Sequence, residues 1–374
     1  MYQDIYESLE KAMIVQRWNE GDKFHRIGQP FQWIDADQTP GHQRLGELAS
    51  MMPHFTMIYE KYPTPIELQT EDFDTVFSII RTTMIEIFTQ FFPFLEVDNY
   101  GEYFDATALT RAQDYAFIST FSEINLRGIK HMDVGPGLGS HSFYSRLIWD
   151  SLYCGIEAYP QTYQIQRNIF RQLGKNINPY LDFVAAENFG VSDSKLETLF
   201  SQWIKGILHV PSWKAPLIPN NYFDLVTATW VLNELNMAGI VWLLCHCVRT
   251  LRVGGLFYIR DSDKRKPGRH SINYDLLLLE LGFEEVKRLQ VRNRVDFYGV
   301  PRMYRKTDRI KPFTFDELIR KLVGHFDTTS NPLYSNFQIY LSLFSVPIYC
   351  FYVRLGTSGL MAEELSLACS LAEQ

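Results

Sequence analysis

The segment Asp133-Val-Gly-Pro-Gly-Leu-Gly139 follows a short apolar run and precedes a helical pattern. Glycine lets the backbone turn sharply and lets a ligand approach main-chain N–H groups without a Cβ in the way. A dinucleotide-binding loop has the spacing G-x-G-x-x-G, whereas the third glycine here, Gly139, comes one position early and is followed by Ser140. Taken alone, the segment fits either a loop that binds another nucleoside cofactor or an ordinary turn.

Side chains that could bind a nucleoside end two of the later apolar runs. Glu157 closes the run 152–157, and a carboxylate can accept hydrogen bonds from both hydroxyls of a ribose. The alternative is an acid that favours the start of the following helix. The third run ends in Ala186-Glu187-Asn188, which could contact an adenine amino group through a side chain or the backbone. The sequence does not separate Glu187 from Asn188.

Groups that could move a proton lie at the end of a further apolar run. This run ends in Arg260-Asp261-Ser-Asp263, and His270 follows in the next loop. Histidine has an unperturbed pKa of about 6.5, which suits a general base at neutral pH. Asp261 and Asp263 could orient His270, act themselves, or hold a divalent cation through oxygen ligands. A solvated acidic turn is the alternative, and no metal site is predicted.

The elements that must position these groups form an alternating pattern. Apolar periodicity predicts helices over 71–92 and about 106–125, and another over 272–281. From Lys130 onward, short apolar runs alternate with helical stretches, which is typical of a parallel sheet. The proline-rich stretch 210–220 is interpreted as a linker. Seven strands are expected, the last two of which are adjacent in sequence and predict an antiparallel hairpin at one edge: 131–134, 152–157, 181–185, 223–228, 256–260, 285–291 and 296–304.

Taken together, the motifs resemble those of the class I S-adenosylmethionine-dependent methyltransferases. The resemblance covers about residues 106–306 and implies an α/β, Rossmann-like sheet of seven strands in the order 3-2-1-4-5-7-6, with the cofactor at its C-terminal edge. The segments that match motifs I, II, IV and V are Asp133–Gly139, Cys154-Gly-Ile-Glu157, Tyr222–Val226 with Val231-Leu-Asn-Glu-Leu235, and Leu251-Arg-Val-Gly-Gly-Leu256.

The resemblance also implies which residues bind S-adenosylmethionine. The loop would bracket the methionine and ribose, Glu157 would bind the ribose hydroxyls, and Glu187 or Asn188 the adenine. Trp230 would lie near the sulfonium, because an aromatic face attracts a cation; the alternative is a core tryptophan. The loop residues in this prediction are Asp133, Gly135, Pro136, Gly137 and Gly139.

The fourth strand limits the methyl acceptor. Its end, Ala228-Thr-Trp-Val231, lacks the Asn/Asp-Pro-Pro-Tyr/Phe motif of amino-methylating DNA and glutamine enzymes and the Pro-Cys pair of cytosine C5 enzymes. O-methylation needs little beyond in-line geometry and a base. Asp261 and His270 ahead of the helix ending in Glu280-Leu-Gly-Phe283 also resemble sugar O-methyltransferases of bacterial glycan clusters. The predicted function is methyl transfer to a hydroxyl of a sugar, glycan or other small molecule, with S-adenosylhomocysteine as product.

Two alternatives remain open, and the second belongs to a different functional class. A peptide or protein methyltransferase would use the N-terminal region as a docking surface. A non-catalytic scaffold of the same fold would bind the cofactor without turnover. The expected domain division is a mainly helical lid or substrate region over 1–105, a methyltransferase domain over 106–307, and a helical, apolar appendage over 308–374 that covers the site or builds a homodimer interface.

Composition narrows the partners and the compartment. A net charge of −7 gives no global positive field to attract nucleic acid. The five cysteines, an odd number mostly in apolar runs, favour free thiols in a reducing cytoplasm. Cys245-His246-Cys247 lies in a helical pattern, where neighbours face different sides, so core packing is favoured over metal binding. No secretory signal pattern opens the chain. The nearly uncharged stretch 337–353 falls short of the roughly 20 residues of a spanning helix, and no transmembrane segment is predicted.

Overall fold

The computed structural model describes residues 64–91, 101–158, 160–175, 180–184, 193–202, 205–232, 237–261, 274–289 and 299–310, together with Leu318 and Lys321. Two short 3-10 segments, Ile66–Leu68 and Ser212–Leu217, accompany the helices. The helices are α1 Phe73–Phe91, α2 Gly101–Phe121, α3 His141–Leu147, α4 Pro160–Lys175, α5 Asp193–Gln202, α6 Met237–Thr250 and α7 Tyr274–Leu281. The strands are β1 Lys130–Val134, β2 Leu152–Glu157, β3 Tyr180–Asp182, β4 Gly206–Pro211, β5 Phe223–Thr229, β6 Leu251–Asp261, β7 Phe283–Arg288 and β8 Val300–Lys306.

The eight strands form one sheet in the order β3-β4-β2-β1-β5-β6-β8-β7. The pairs from β3 to β6 are parallel, whereas β8 runs antiparallel to both β6 and β7. The hairpin expected at one edge of the sheet is therefore confirmed. Because the carboxyl ends of parallel strands meet at one edge of a sheet, the ends of β1, β2, β5 and β6 lie together.

One strand assignment from the sequence is wrong. The stretch 181–185 was expected to follow the second strand as its neighbour, but β4 pairs with β2 along its whole length, from Leu152 opposite Gly206 to Glu157 opposite Pro211. The short strand β3 lies outside β4, at the edge of the sheet. All six residues of β4 are buried, as expected for a strand covered on both faces. Its last two residues, Val210 and Pro211, lie in the proline-rich stretch interpreted as a linker, so the strand was not recognised.

The helices divide between the two faces of the sheet. Apolar residues of α1 to α4 form one core with Tyr153, Leu225 and Tyr258 of the sheet. Residues of α5, α6 and α7 form a second core with Val226 and Phe257. Since successive strand residues point to opposite faces, β2, β5 and β6 contribute to both cores.

Several expectations fall on residues outside the described ranges. These are the adenine candidates Glu187 and Asn188, the proton-transfer candidates Asp263 and His270, and the apolar stretch 337–353. Within the described ranges, Cys154, Cys245 and Cys247 are buried free thiols. No described helix combines the length and apolarity needed to cross a bilayer.

Candidate active site

The glycine loop turns immediately after β1. Gly135, Gly137 and Gly139 all have positive φ values, of 61°, 59° and 70°. A Cβ on Gly135 would lie 2.7 Å from Val231 Cγ2, and one on Gly139 would lie 2.6 Å from Phe170 Cε1, so packing excludes larger residues at both positions. A Cβ on Gly137 would meet nothing within 4 Å. The middle of the loop therefore faces open space, as a ligand cradle requires.

Glu157, the last residue of β2, stands beside this loop. Its side chain is buried, and Oε1 accepts a hydrogen bond from the Ala158 amide at 2.9 Å. Glu157 Oε2 accepts one from Gln166 Nε2 at 2.8 Å, and the same nitrogen donates to the Gly137 carbonyl at 2.6 Å. These two donors hold the carboxylate in place at the end of β2, beside the loop.

The strand next to Glu157 in the sheet is β4, not β3. Glu157 is paired with Pro211 of β4, and the chain continues into Ser212, whose side chain is buried. The neighbouring strand end is therefore Pro211-Ser212. The stretch that carries Glu187 and Asn188 follows the outer strand β3 instead.

A buried polar cluster that the sequence did not predict lies between α2 and the sheet. At its centre is Asp114 of α2, which is fully buried. Its carboxylate accepts hydrogen bonds from Tyr258 Oη at 2.5 Å, Arg260 Nη2 at 2.9 Å and Arg111 Nη1 at 2.8 Å. Burial works to raise the pKa of Asp114, but the Arg260 guanidinium and the other donors outweigh it and hold that pKa well below its usual range.

His141 joins this cluster to the start of the glycine loop. Its Nε2 lies 3.0 Å from Asp114 Oδ2, and its Nδ1 lies 3.1 Å from Asp133 Oδ1. Asp133 also accepts hydrogen bonds from Tyr153 Oη at 2.6 Å and Thr227 Oγ1 at 2.7 Å. Burial opposes ionisation of Asp133, but the His141 ring and these donors bring its pKa below the ordinary value. In these contacts Asp133 acts as a buried anion that anchors the loop.

The end of β5 carries a backbone conformation that is rare for a large residue. Trp230 has a φ of 62°, and its amide donates to the Arg260 carbonyl at 2.9 Å. Positive φ at a bulky residue is an outlier, and such strain concentrates at functional sites. The preceding residue, Thr229, accepts a hydrogen bond from Arg111 Nη1 at 3.1 Å. The strained residue thus lies at the sheet edge that the glycine loop also occupies.

Asp261, the last residue of β6, holds the chain that follows Trp230. Its side chain is only 1% exposed, and Oδ2 accepts a hydrogen bond from the Leu232 amide at 2.9 Å. Its carbonyl accepts one from Arg302 Nη2 at 3.2 Å. The structure therefore brings the loop, Glu157, Trp230 and Asp261 to one sheet edge. Among the described residues there is no group of three or more His, Cys, Asp or Glu side chains that could hold a metal ion.

No family model matches the chain, and no curated protein matches it in sequence. Several solved structures resemble it. Magnesium protoporphyrin IX methyltransferase from Synechocystis PCC 6803, solved with bound SAM, is 12% identical over 64% of this chain and 98% of its own, with a TM-score of 0.38. A SAM-dependent methyltransferase from Leishmania major is 15% identical over 62% and 82%, with a TM-score of 0.36. 1,6-Didemethyltoxoflavin-N1-methyltransferase from Burkholderia thailandensis, solved with S-adenosylhomocysteine, is 15% identical over 62% and 88%, with a TM-score of 0.33.

The strand order of the chain itself decides the fold. With the edge strand β3 set aside, the sheet has the order 3-2-1-4-5-7-6 and an antiparallel seventh strand. The chain has the class I methyltransferase fold. In open α/β sheets, ligands bind outside the carboxyl ends of the strands where the strand order reverses. Here that point lies between β1 and β5, beside the glycine loop and Trp230.

A sequence signal for the polar cluster was present along the strands. Because side chains alternate between the faces of a sheet, polar residues two positions apart mark a polar face. Such pairs occur in β1, β5 and β6 of the class I sheet: His131 with Asp133, Thr227 with Thr229, and Tyr258 with Arg260. What the strands could not show is the partner, Asp114, which comes from the preceding helix.

Proposed function

We propose that the chain transfers a methyl group from S-adenosylmethionine to a hydroxyl of a sugar, glycan or other small molecule. The observation that carries this proposal is the cradle at Gly137, which is open and is joined to Glu157 through one shared donor, Gln166 Nε2. An open glycine loop beside a buried carboxylate suits a ligand that presents a ribose next to its reactive end. Cofactors with a pyrophosphate favour the later third glycine that this loop lacks.

Each residue at the sheet edge has a distinct task in this proposal. The loop from Gly135 to Gly139 gives close access to main-chain N–H groups, and Glu157 accepts the ribose hydroxyls. The adenine is assigned to the end of β4 at Ser212, because that strand lies next to Glu157. The indole of Trp230 stabilises the sulfonium, since a ring face attracts a cation. The bound cofactor supplies a methyl carbon activated by the positive sulfur.

The remaining task is to remove the proton of the acceptor. The acceptor oxygen bonds to the methyl carbon as the carbon–sulfur bond breaks, the electron pair stays on sulfur, and a base takes the hydroxyl proton. We assign the base to His270 and its orientation to Asp263. Asp261 is assigned a positioning task, because its carboxylate is buried against the Leu232 amide behind Trp230.

Isothermal titration with S-adenosylhomocysteine tests the cofactor assignment. Gly137→Trp fills the cradle, and we expect it to weaken binding by at least about 100-fold, which corresponds to about 2.7 kcal/mol. Gly128→Trp is the matched control: Gly128 also has a positive φ, of 74°, and open space at its Cβ, but precedes β1 at the opposite end of the strand. Equal affinity in the Gly137→Trp variant and the wild-type protein would contradict the assignment.

The base assignment is tested by methyl transfer from a radiolabelled donor to a panel of sugar and small-molecule alcohols. His270→Ala should lower kcat by about 10²- to 10⁴-fold with the affinity for S-adenosylhomocysteine unchanged. Methyl transfer to peptides alone would favour a peptide or protein methyltransferase. Cofactor binding without methyl transfer to any acceptor would favour a non-catalytic scaffold. An unchanged kcat in His270→Ala overturns the base assignment.

A further inference from the structure

Gln166 of α4 occupies a position that the proposed function leaves unexplained. The side chain is completely buried, and both bonds of its Nε2 point to the candidate cofactor site. One donates to the Gly137 carbonyl in the middle of the loop, and the other to Glu157 Oε2. A single amide nitrogen thus joins the carboxylate to the cradle.

This arrangement works only if the amide faces one way. A glutamine amide can turn by 180° and exchange its oxygen and nitrogen. The turned amide would place its oxygen against the Gly137 carbonyl and the Glu157 carboxylate, so that three acceptors would face one another. The two acceptors therefore hold the amide with its nitrogen toward them, and a group that donates to Gln166 Oε1 stabilises the same orientation.

His209 of β4 is that group. Its Nε2 lies 2.9 Å from Gln166 Oε1, and burial lowers the pKa of His209 to about 3, so the ring is neutral and carries one N–H. Because Oε1 only accepts, the proton belongs on Nε2. Nδ1 is then an acceptor, and Tyr180 Oη lies 3.1 Å from it as the donor.

The added edge strand β3 holds His209 in this state. Tyr180 comes from β3, and so does Asp182, which accepts a hydrogen bond from Tyr163 Oη at 2.8 Å. The Tyr163 ring stacks on His209 with centroids 3.5 Å apart and planes within 8°. The chain of contacts therefore runs from β3 through His209 and Gln166 to Glu157 and the loop.

We infer that Gln166 is a positioning residue for the cofactor ribose, and that the edge strand β3 fixes its amide through His209. The inference rests on the proposed function, because it takes S-adenosylmethionine as the ligand. It assigns a purpose to the strand that the class I sheet order does not include. Glu157 remains the group that touches the ribose; Gln166 acts through it.

The test compares two ligands, S-adenosylhomocysteine and its 2′-deoxy analogue, by isothermal titration. In the wild-type protein the missing hydroxyl should weaken binding by about tenfold or more, because a hydrogen bond to a charged group is lost. Gln166→Met keeps the volume but removes both bonds. We expect it to weaken S-adenosylhomocysteine binding by about tenfold to a hundredfold and to bring the two ligands within about twofold of each other.

Matched variants separate positioning from general damage. Gln113→Met removes another buried amide on α2, whose Nε2 donates to Thr64 Oγ1, away from the loop. It should leave the ratio of the two dissociation constants unchanged. His209→Phe keeps a ring against Tyr163 but loses the N–H and should reduce the ratio, whereas His209→Gln, which restores a donor, should recover part of it.

The outcomes distinguish this inference from the function it rests on. If the wild-type protein does not bind S-adenosylhomocysteine, the proposed function and the inference fall together. If the wild type binds and Gly137→Trp abolishes binding, but Gln166→Met weakens both ligands equally or neither, the inference alone is overturned. A ratio that falls in Gln166→Met and His209→Phe and persists in Gln113→Met supports it.

Discussion

The two faces of the central sheet use the same strands but different chemistry. Toward α6 and α7, the central strands present Met132, Val226, Phe257 and Ile259 to a continuous apolar core. Toward α2 they present Leu225 and Leu256 and, beside these, a set of polar side chains two positions apart along each strand: His131, Asp133, Thr227, Thr229, Tyr258 and Arg260. Both faces are buried, since none of these side chains is exposed to solvent by more than 8%.

The difference shows how each face depends on its covering helices. Burial of an apolar face against any apolar surface of fitting shape stabilises the folded protein. A polar face costs free energy unless each group meets a partner. On this sheet the partner is Asp114, which binds Tyr258 and Arg260, so α2 is specific to the face that it covers.

The largest effect should follow from removing that partner. Asp114→Ala leaves Arg260 and Arg111 without the carboxylate, and losing one member of a buried ion pair costs about 3–5 kcal/mol. The free energy of unfolding in urea measures this. Asp105→Ala on the same helix is the control, because the Asp105 and Arg81 side chains are 51% and 39% exposed and such pairs contribute about 0–1 kcal/mol. Equal losses in the two variants would contradict the assigned role of the cluster.

The same face should make stability depend on acid pH. The pKa values of Asp114 and Asp133 are lower in the folded protein than the value of about 3.9 in an unfolded chain. Their contribution to the free energy of unfolding is therefore present above about pH 4 and is lost as the pH falls through the pKa values of the folded protein. Urea midpoints measured from pH 5 downward should fall more steeply for wild type than for Asp114→Ala; parallel curves would exclude this origin.

Single substitutions at two adjacent residues of β5, one on each face of the sheet, test the two faces directly. Thr227→Val removes the hydroxyl that donates to Asp133 and lies 2.8 Å from His131 Nε2, with an expected cost of about 1–3 kcal/mol. Val226→Thr places a hydroxyl in the apolar core and should cost about 1–3 kcal/mol as well. Only the Thr227 variant should change the acid dependence. If either substitution leaves the free energy of unfolding in urea unchanged, the role assigned to the face that carries it is wrong.

The smallest effect is expected for trimming the apolar face. Ile259→Val removes one buried methylene from the core that Phe257 also lines and should cost about 0.5–1.5 kcal/mol. The loss should be the same at pH 5 and pH 7, since no titratable group is removed. A pH-dependent loss measured by urea unfolding would show that the two faces are coupled through β6.

Local patterns in the sequence predicted most of the helices and strands but not every pairing between strands. The helix α1, the strand β2 and the terminal hairpin follow from periodicity and turn signals within a few residues. The choice between β3 and β4 as the neighbour of β2 is a long-range pairing. Two short apolar runs compete for it, and burial on both faces decides for β4.

The candidate site shows the same division. The glycine loop and the strand-end Glu157 are local features and were predicted at the positions where the structure has them. The bond between Asp114 and Arg260 joins residues 146 positions apart, and nothing in the sequence of α2 separates Asp114 from the other acids of that helix as the one with such a partner. Gln166 was not predicted for the same reason: glutamine is mostly exposed in proteins, so the sequence does not indicate that this one is buried.

The dependence of the sheet on Asp114 has a consequence for recombination between related proteins. A chimera that joined this sheet to the corresponding helix of another protein with this fold would bury Arg260 beside whatever side chain replaced Asp114. The helix α2 and the sheet must therefore come from the same parent protein, and a crossover that preserves folding lies upstream of Gly101, where α2 begins. Fragments for domain shuffling should be cut there and not at Lys130, where the first strand begins.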